Sequence, residues 1–272
     1  MIVQHNMTAA NTNRQLGITT GNLQKSSEKL SSGYRVNRAG DDAAGLSISE
    51  KMRGQIRGLE QASTNAQDGI SLIQTAEGAL NEIHSVIQRM RELTVQAAND
   101  TNVTADRTAI KEELSALTSE IDRIASQTEF NTMKLLSGGV QNLNFQVGAN
   151  KGQNITLTIS SVTASGLGLS GIYSNVENYA NATSCIALMD SALTAVSTTR
   201  SKLGAVQNRL EHTIANADNT AENLQAAESR IRDVDMAKEM VTYSKNNILQ
   251  QAAQSMLAQA NQSTQGVLSL LR

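Results

Sequence analysis

Between Leu46 and Asn99 the chain has no proline, and apolar residues return every three or four positions. From Met52 the row runs through Ile56, Leu59, Ala62, Ala66, Ile70, Ile73, Ala76, Leu80, Ile83, Ile87 and Met90. Its mean step of roughly 3.5 residues is the coiled-coil period. A helix of about fifty residues is about 75 Å long at 1.5 Å per residue. The pattern therefore predicts an elongated molecule whose other segments pack along that helix or extend from its ends. Composition agrees: of 272 residues only 2% are aromatic, and Trp and Pro are absent. Ala, Leu, Ile and Val favour narrow seams between helices over a large compact core. The predicted fold class is mainly α, an elongated bundle of long coiled-coil-like helices with one small β-hairpin and with the N- and C-terminal helices paired.

The remaining helical seams are uneven. Leu16, Leu23 and Leu30 lie one heptad apart, but polar residues and Gly17 and Gly21 between them lower helix propensity. Ser31 to Leu46 reads as a connector with Gly33, Gly40 and Gly45. Its Asp41-Asp42 pair fits the amides of a helix start better than a metal. A turn from Asn99 to Thr104 precedes a helix with Thr104 and Asp106 as cap and first-turn residues, and with a seam of Ile110, Leu114, Leu117, Ile121 and Ile124. This helix is expected to fold back antiparallel on the first.

From Phe130 to Gly139 the period is lost. It then becomes two, in Leu143, Phe145 and Val147 and again in Ile155, Leu157 and Ile159, across a glycine turn. This is a β-hairpin with one apolar face, which needs helices to lie against. Helical spacing resumes near Tyr173 through Ile186, Met189, Leu193, Val196, Leu203, Leu210 and Ile214. The last stretch carries Leu249, Ala253, Met256, Ala260, Val267 and Leu270, so each chain end presents a thin seam suited to the other end or to another copy. Ordering each residue costs roughly 1 to 2 kcal/mol, so such ends are expected to order only when a neighbouring subunit completes the seam.

Several functions are disfavoured. The 23 basic and 25 acidic residues are spread along the chain without a basic stripe, which argues against nucleic acid. No run approaches the roughly twenty apolar residues of a membrane span, and Met1 to Arg14 has no apolar signal core. On these features alone the chain is cytoplasmic, with an export route that uses no cleaved signal left open. Cys185 cannot form an internal disulfide and reads as a small buried helix residue. His5, His84 and His212 are scattered, and no metal-binding, phosphate-binding or nucleophile pattern occurs, so no enzyme, cofactor or metal is expected.

With Leu80, Ile83, Ile87 and Met90 facing inward, a 100° step per residue places Arg89, Glu92, Leu93 and Gln96 on the opposite face. Leu93 is then an outward apolar residue, and His84 lies off this patch.

Four stretches resemble bacterial flagellin: LSSGYRVNRAGDDAAGLSISEKMR from Leu30, NAQDGISLIQTAEGALNEI from Asn65, QRMRELTVQAAN from Gln88, and ILQQAAQSMLAQANQSTQGVLSLLR from Ile248. Matches of this length at both ends, in order, are far more specific than a short motif. The resemblance implies a self-assembling filament subunit, secreted to the extracellular flagellum through its own export channel. Residues 1–45 with 233–272 would form the terminal helical domain of the inner tube, and 46–232 a long-helix domain with the hairpin at about 140–160. Leu16, Leu23, Leu30, Leu249, Ala253, Met256, Ala260, Val267 and Leu270 would form the polymerisation seam.

Implied partners are other subunits, an export chaperone, a cap and hook-filament junction proteins. The host Toll-like receptor that senses flagellin is also implied, at Gln88, Arg89, Glu92, Leu93, Gln96 and Glu113. Two departures from the family are visible. Only SSVTASGLGLSGI separates Ile159 from Tyr173, so bulky outer domains are not expected, and Gln262 to Gly266 has no proline. A junction protein with similar ends and a non-flagellar coiled-coil adaptor are the alternatives.

Overall fold

The computed structural model describes residues 6–138, 140–176 and 178–270, with the backbone alone at 175 and 264–270. The elements, in order, are α1 (Met7–Ser32), α2 (Ala43–Ala97), α3 (Thr104–Gln127), β1 (Glu129–Phe130), β2 (Met133–Lys134), β3 (Leu143–Gln146), β4 (Asn154–Leu157), a 3-10 turn (Ile172–Asn175), α4 (Tyr179–Arg232) and α5 (Met236–Leu270). They form two compact units, Met1–Gly54 with Asn223–Arg272, and Gln55–Glu222. Among the described residues no helix is long and apolar enough to cross a membrane.

In the Gln55–Glu222 unit the long seam is the core: Ile73, Ala76, Leu80, Ile83, Ile87 and Met90 are wholly buried. α3 returns along α2, as the Arg89–Glu113 ion pair shows. It buries Ile110, Leu114, Ile121 and Ala125. Thr104 is the first helical residue and not the cap; the carboxylate of Asp106 accepts the Val103 N–H at 3.2 Å. α4 runs antiparallel to α2, since Arg91 pairs with Asp190 and Glu77 with Arg200, while Gly69 approaches Leu210.

The expected hairpin is present, with Leu143 opposite Leu157 and Phe145 opposite Ile155. It lies against α2, where a Cβ on Gly69 would stand 3.1 Å from the Phe145 ring. A second, smaller hairpin pairs β1 with β2. Its turn residues Asn131 and Thr132 have φ of 48° and 65°. That left-handed conformation is unfavourable for a β-branched threonine.

The stretch from Phe130 to Gly139 and the short link after Ile159 carry no periodic signal, yet they complete this core. Leu135, Leu136, Val162 and Leu169 are buried there, beside the flanking Val140 and Ile159. Irregular backbone bonds hold them: Ile159 donates to Val140 and Val162 to Leu136. The carboxylate of Asp122 accepts the Ala164 N–H at 2.8 Å.

In the other unit α1 starts under the Asn6 side chain and ends at Gly33, whose φ of 75° only glycine adopts freely. Asp42 caps α2 by accepting the Gly45 N–H at 2.8 Å. Asp41 accepts N–H bonds from Asn37 and Arg38. The Arg38 amide, before other causes, holds the Asp41 carboxyl below its usual range. Both acids are therefore helix-start and turn residues, as their position predicted.

The connector after α1 is tied to the break between α4 and α5. Tyr34 bridges Asp233, the Arg35 N–H donates to the Arg232 carbonyl, and the Val234 N–H donates to the Gly33 carbonyl. The Arg232 guanidinium lies 4.7 Å from the Tyr34 ring centre and bonds Glu50 at 2.7 Å.

Candidate interaction surfaces

α1 and α5 pack antiparallel. Asn6 near the start of α1 donates to the Ala260 carbonyl at 3.1 Å, and Thr20 accepts from Gln250 at 3.4 Å. The α5 residues turned to α1 are Asn246, Gln250, Ala253, Leu257 and Ala260, in steps of four and three. Leu16, Leu23 and Leu30 are half-buried opposite them, as are Ala253 and Ala260.

Leu249 and Met256 do not face α1: they are 43% and 56% exposed. Each precedes a contact residue by one position, a rotation of about 100° off the seam. The row in contact with α1 is mostly polar or small, with Leu257 as its one large aliphatic residue. Met236, Met240, Val241 and Ile248 are exposed on the same helix. The side chains of Val267 and Leu270 lie outside the described residues.

On α2 and α3, Arg89 donates from Nε and Nη2 to Glu113 Oε1 at 3.1 and 3.0 Å, and from Nη1 to Glu92 at 3.3 Å. The Glu113 bond, then the Glu92 bond, raises the pKa of the guanidinium above its usual value. Gln88 and Gln96 are exposed beside this cluster. A hollow of about 500 Å³ lined by Gln88, Arg91, Glu92, Val95 and Leu193 opens on the α4 side.

Leu93 departs from expectation: it is 2% exposed and belongs to the core. Opposing a single seam is the wrong geometry for a helix packed on two flanks, and α3 and α4 widen the buried arc of α2 to include it. His84 is likewise not off the patch, because its Nε2 lies 3.0 Å from Gln88 Nε2.

No catalytic grouping assembles among the described residues. His5 lies outside the described residues. The Glu77–Arg200 and Gly69–Leu210 pairings put His212 about 25 Å along the helices from His84. Among the described residues no three His, Cys, Asp or Glu side chains could hold a metal. Cys185 is buried, and that burial raises its thiol pKa and suppresses reactivity.

Terminal helices paired with each other, and large apolar side chains left exposed on one of them, are the features of a structural chain that associates through helix faces. Residues 3–141 match the bacterial flagellin N-terminal helical region, and residues 186–271 the bacterial flagellin C-terminal helical region. Flagellin of Halalkalibacterium halodurans is 59% identical over 272 residues, covering all of both chains. Flagellin of Bacillus subtilis is 53% identical over 304 residues, also covering all of both chains. The crystal structure of Bacillus cereus flagellin is 32% identical with a TM-score of 0.52, over 61% of this chain and 94% of that one.

A putative flagellar hook-associated protein from Vibrio parahaemolyticus shares the fold at 14% identity and a TM-score of 0.61, over 71% of this chain and 100% of that one. The chain belongs to the bacterial flagellin family. It is a structural subunit of the flagellar filament, an extracellular homopolymer, and not an enzyme.

Proposed function

We propose that the subunit joins the filament through the α1–α5 pair, with residues 1–45 and 233–272 lining the inner tube and 46–232 in the surrounding layer. The observation that carries this reading is the set of large apolar side chains exposed on α5: Met236, Met240, Val241, Ile248, Leu249 and Met256. Exposed apolar area of this kind gains free energy only when a second surface covers it. In a homopolymer that surface belongs to the next subunit. Leu249 and Met256 keep their place in the polymerisation seam as outward contacts. Leu16, Leu23, Leu30, Ala253 and Ala260 set the intramolecular pairing that presents them.

Secretion without a cleaved signal, an export chaperone for the C-terminal end, and end contacts with a cap and hook-filament junction proteins belong to the same reading. Leu249→Asp or Met256→Asp is expected to abolish sulfate-induced filaments, seen by negative-stain microscopy, with monomer helicity unchanged. A charge buried without a partner at each contact is strongly unfavourable. Filaments formed by either variant at normal concentration would reject the reading.

The Arg89 cluster supports a second role, recognition of free subunits by the host Toll-like receptor. Its contact set is Gln88, Arg89, Glu92, Gln96 and Glu113, with Leu93 supporting the helix from beneath. Arg89→Asp should weaken binding to the receptor ectodomain by about 2 kcal/mol, roughly thirtyfold. Arg123, an equally exposed α3 arginine paired with Glu120, is the control. Equal binding by the Arg89 variant and the parent would reject the site.

A further inference from the structure

Methionine is distributed unevenly in this chain. Met90 and Met189 are wholly buried, whereas Met7, Met236, Met240 and Met256 are 74%, 48%, 50% and 56% exposed. All four exposed thioethers lie on α1 or α5. A thioether gives an interface a soft, adaptable apolar surface, but when it is exposed an oxidant can reach it.

We propose that Met7, Met236, Met240 and Met256 are modification sites for peroxide-class oxidants, and that their sulfoxides reversibly block assembly. The proposal rests on the reading that the α1–α5 pair joins the subunit to the filament. In the step, a sulfur lone pair attacks one oxygen of hydrogen peroxide. The O–O bond breaks as an S–O bond forms, the sulfur is oxidised by two electrons, and the peroxide is reduced to water. The product is a polar acceptor where an apolar group stood, so covering it no longer releases water from apolar surface and leaves a strong acceptor unpaired. The oxidant acts on subunits before they assemble; the buried Met90 and Met189 keep the Gln55–Glu222 core intact.

The test treats purified full-length subunits with hydrogen peroxide, locates sulfoxides by mass spectrometry and measures the critical concentration for filament growth. The four exposed methionines should oxidise at least about tenfold faster than Met90 and Met189, and the critical concentration should rise at least about tenfold. Treatment with methionine sulfoxide reductases should restore assembly. In the variant carrying M7L, M236L, M240L and M256L, a nearly volume-conserving set, peroxide should leave the critical concentration at its untreated value, whatever that value is. If that variant fails to assemble untreated, reductase repair of the parent decides the question.

Oxidised parent chain that assembles at an unchanged critical concentration, while Leu249→Asp does not assemble, overturns the oxidation proposal alone. Assembly by Leu249→Asp overturns the underlying surface reading. Loss of assembly that persists after complete reductase repair also overturns the proposal.

Discussion

α1 and α5 pair along their lengths, yet in α1 only Ser26 is buried, and in the described part of α5 only Asn246. Over the same repeat, α2 and α3 in the Gln55–Glu222 unit wholly bury Leu80, Ile83, Ile87, Met90, Leu114 and Ile121. Both regions keep the helical period; they differ in what occupies it. Each aliphatic side chain taken fully out of water contributes about 1.5 to 3 kcal/mol, and a row of Asn, Gln and Ala with one half-buried leucine, Leu257, contributes much less. One region is held by its own buried aliphatic side chains, and the other has far fewer of them.

The sharpest way to break that comparison is to measure opening. In dilute subunits residues 1 to about 40 and about 235 to 272 should be cut first by protease, leaving a resistant fragment, and filaments should protect them. Amide exchange as slow in α1 and α5 as between Leu59 and Met90 would erase the distinction.

Truncation gives the next largest effect. Leu80→Ala should cost about 2 to 5 kcal/mol in denaturant unfolding, since the site is wholly buried. Leu23→Ala, half-buried on α1, should cost about 1 kcal/mol or less of subunit stability. Comparable losses would mean the terminal seam carries more free energy than its burial implies.

A smaller effect sharpens the account of the Gln55–Glu222 unit. Thr132→Gly should stabilise it by about 1 kcal/mol or less, because glycine accepts the left-handed turn without strain while the unfolded chain gains freedom. Denaturant midpoints decide the sign.

The smallest concerns acid. Asp41 has its pKa lowered in the folded chain, so its contribution is present above the ordinary carboxylate pKa and fades as pH falls through the lowered value. Asp41→Asn should remove that part of the acid dependence, read from unfolding of the Met1–Gly54 and Asn223–Arg272 unit between neutral and strongly acidic pH.

The most regular elements were also the most legible in the sequence. The α2 seam from Ile73 to Met90, the Leu143 and Leu157 register, the Asp42 cap and the burial of Cys185 all follow from a single dominant period or a single capping group. Leu93 was misplaced because helical phase describes one contact line, whereas α2 is covered from two sides. On α5 the apolar period alone leaves open which surface covers it: Asn246 and Gln250 take the contact with α1 and leave Leu249 outside. Leu135, Leu136 and Val162 were invisible to periodicity because irregular backbone, held by individual hydrogen bonds, places them.

The tie between the α1–α2 connector and the α4–α5 break closes a very long loop, with Arg35 bonding Ile231 at a separation of 196 positions. The entropy of closing a flexible loop grows only as the logarithm of its length, so each doubling adds about 0.6 kcal/mol. Length added between the tied positions is therefore almost free for the terminal pair. The tie at Tyr34 and Asp233 therefore fixes how the two ends meet by local bonds whose cost depends little on how much chain lies between them.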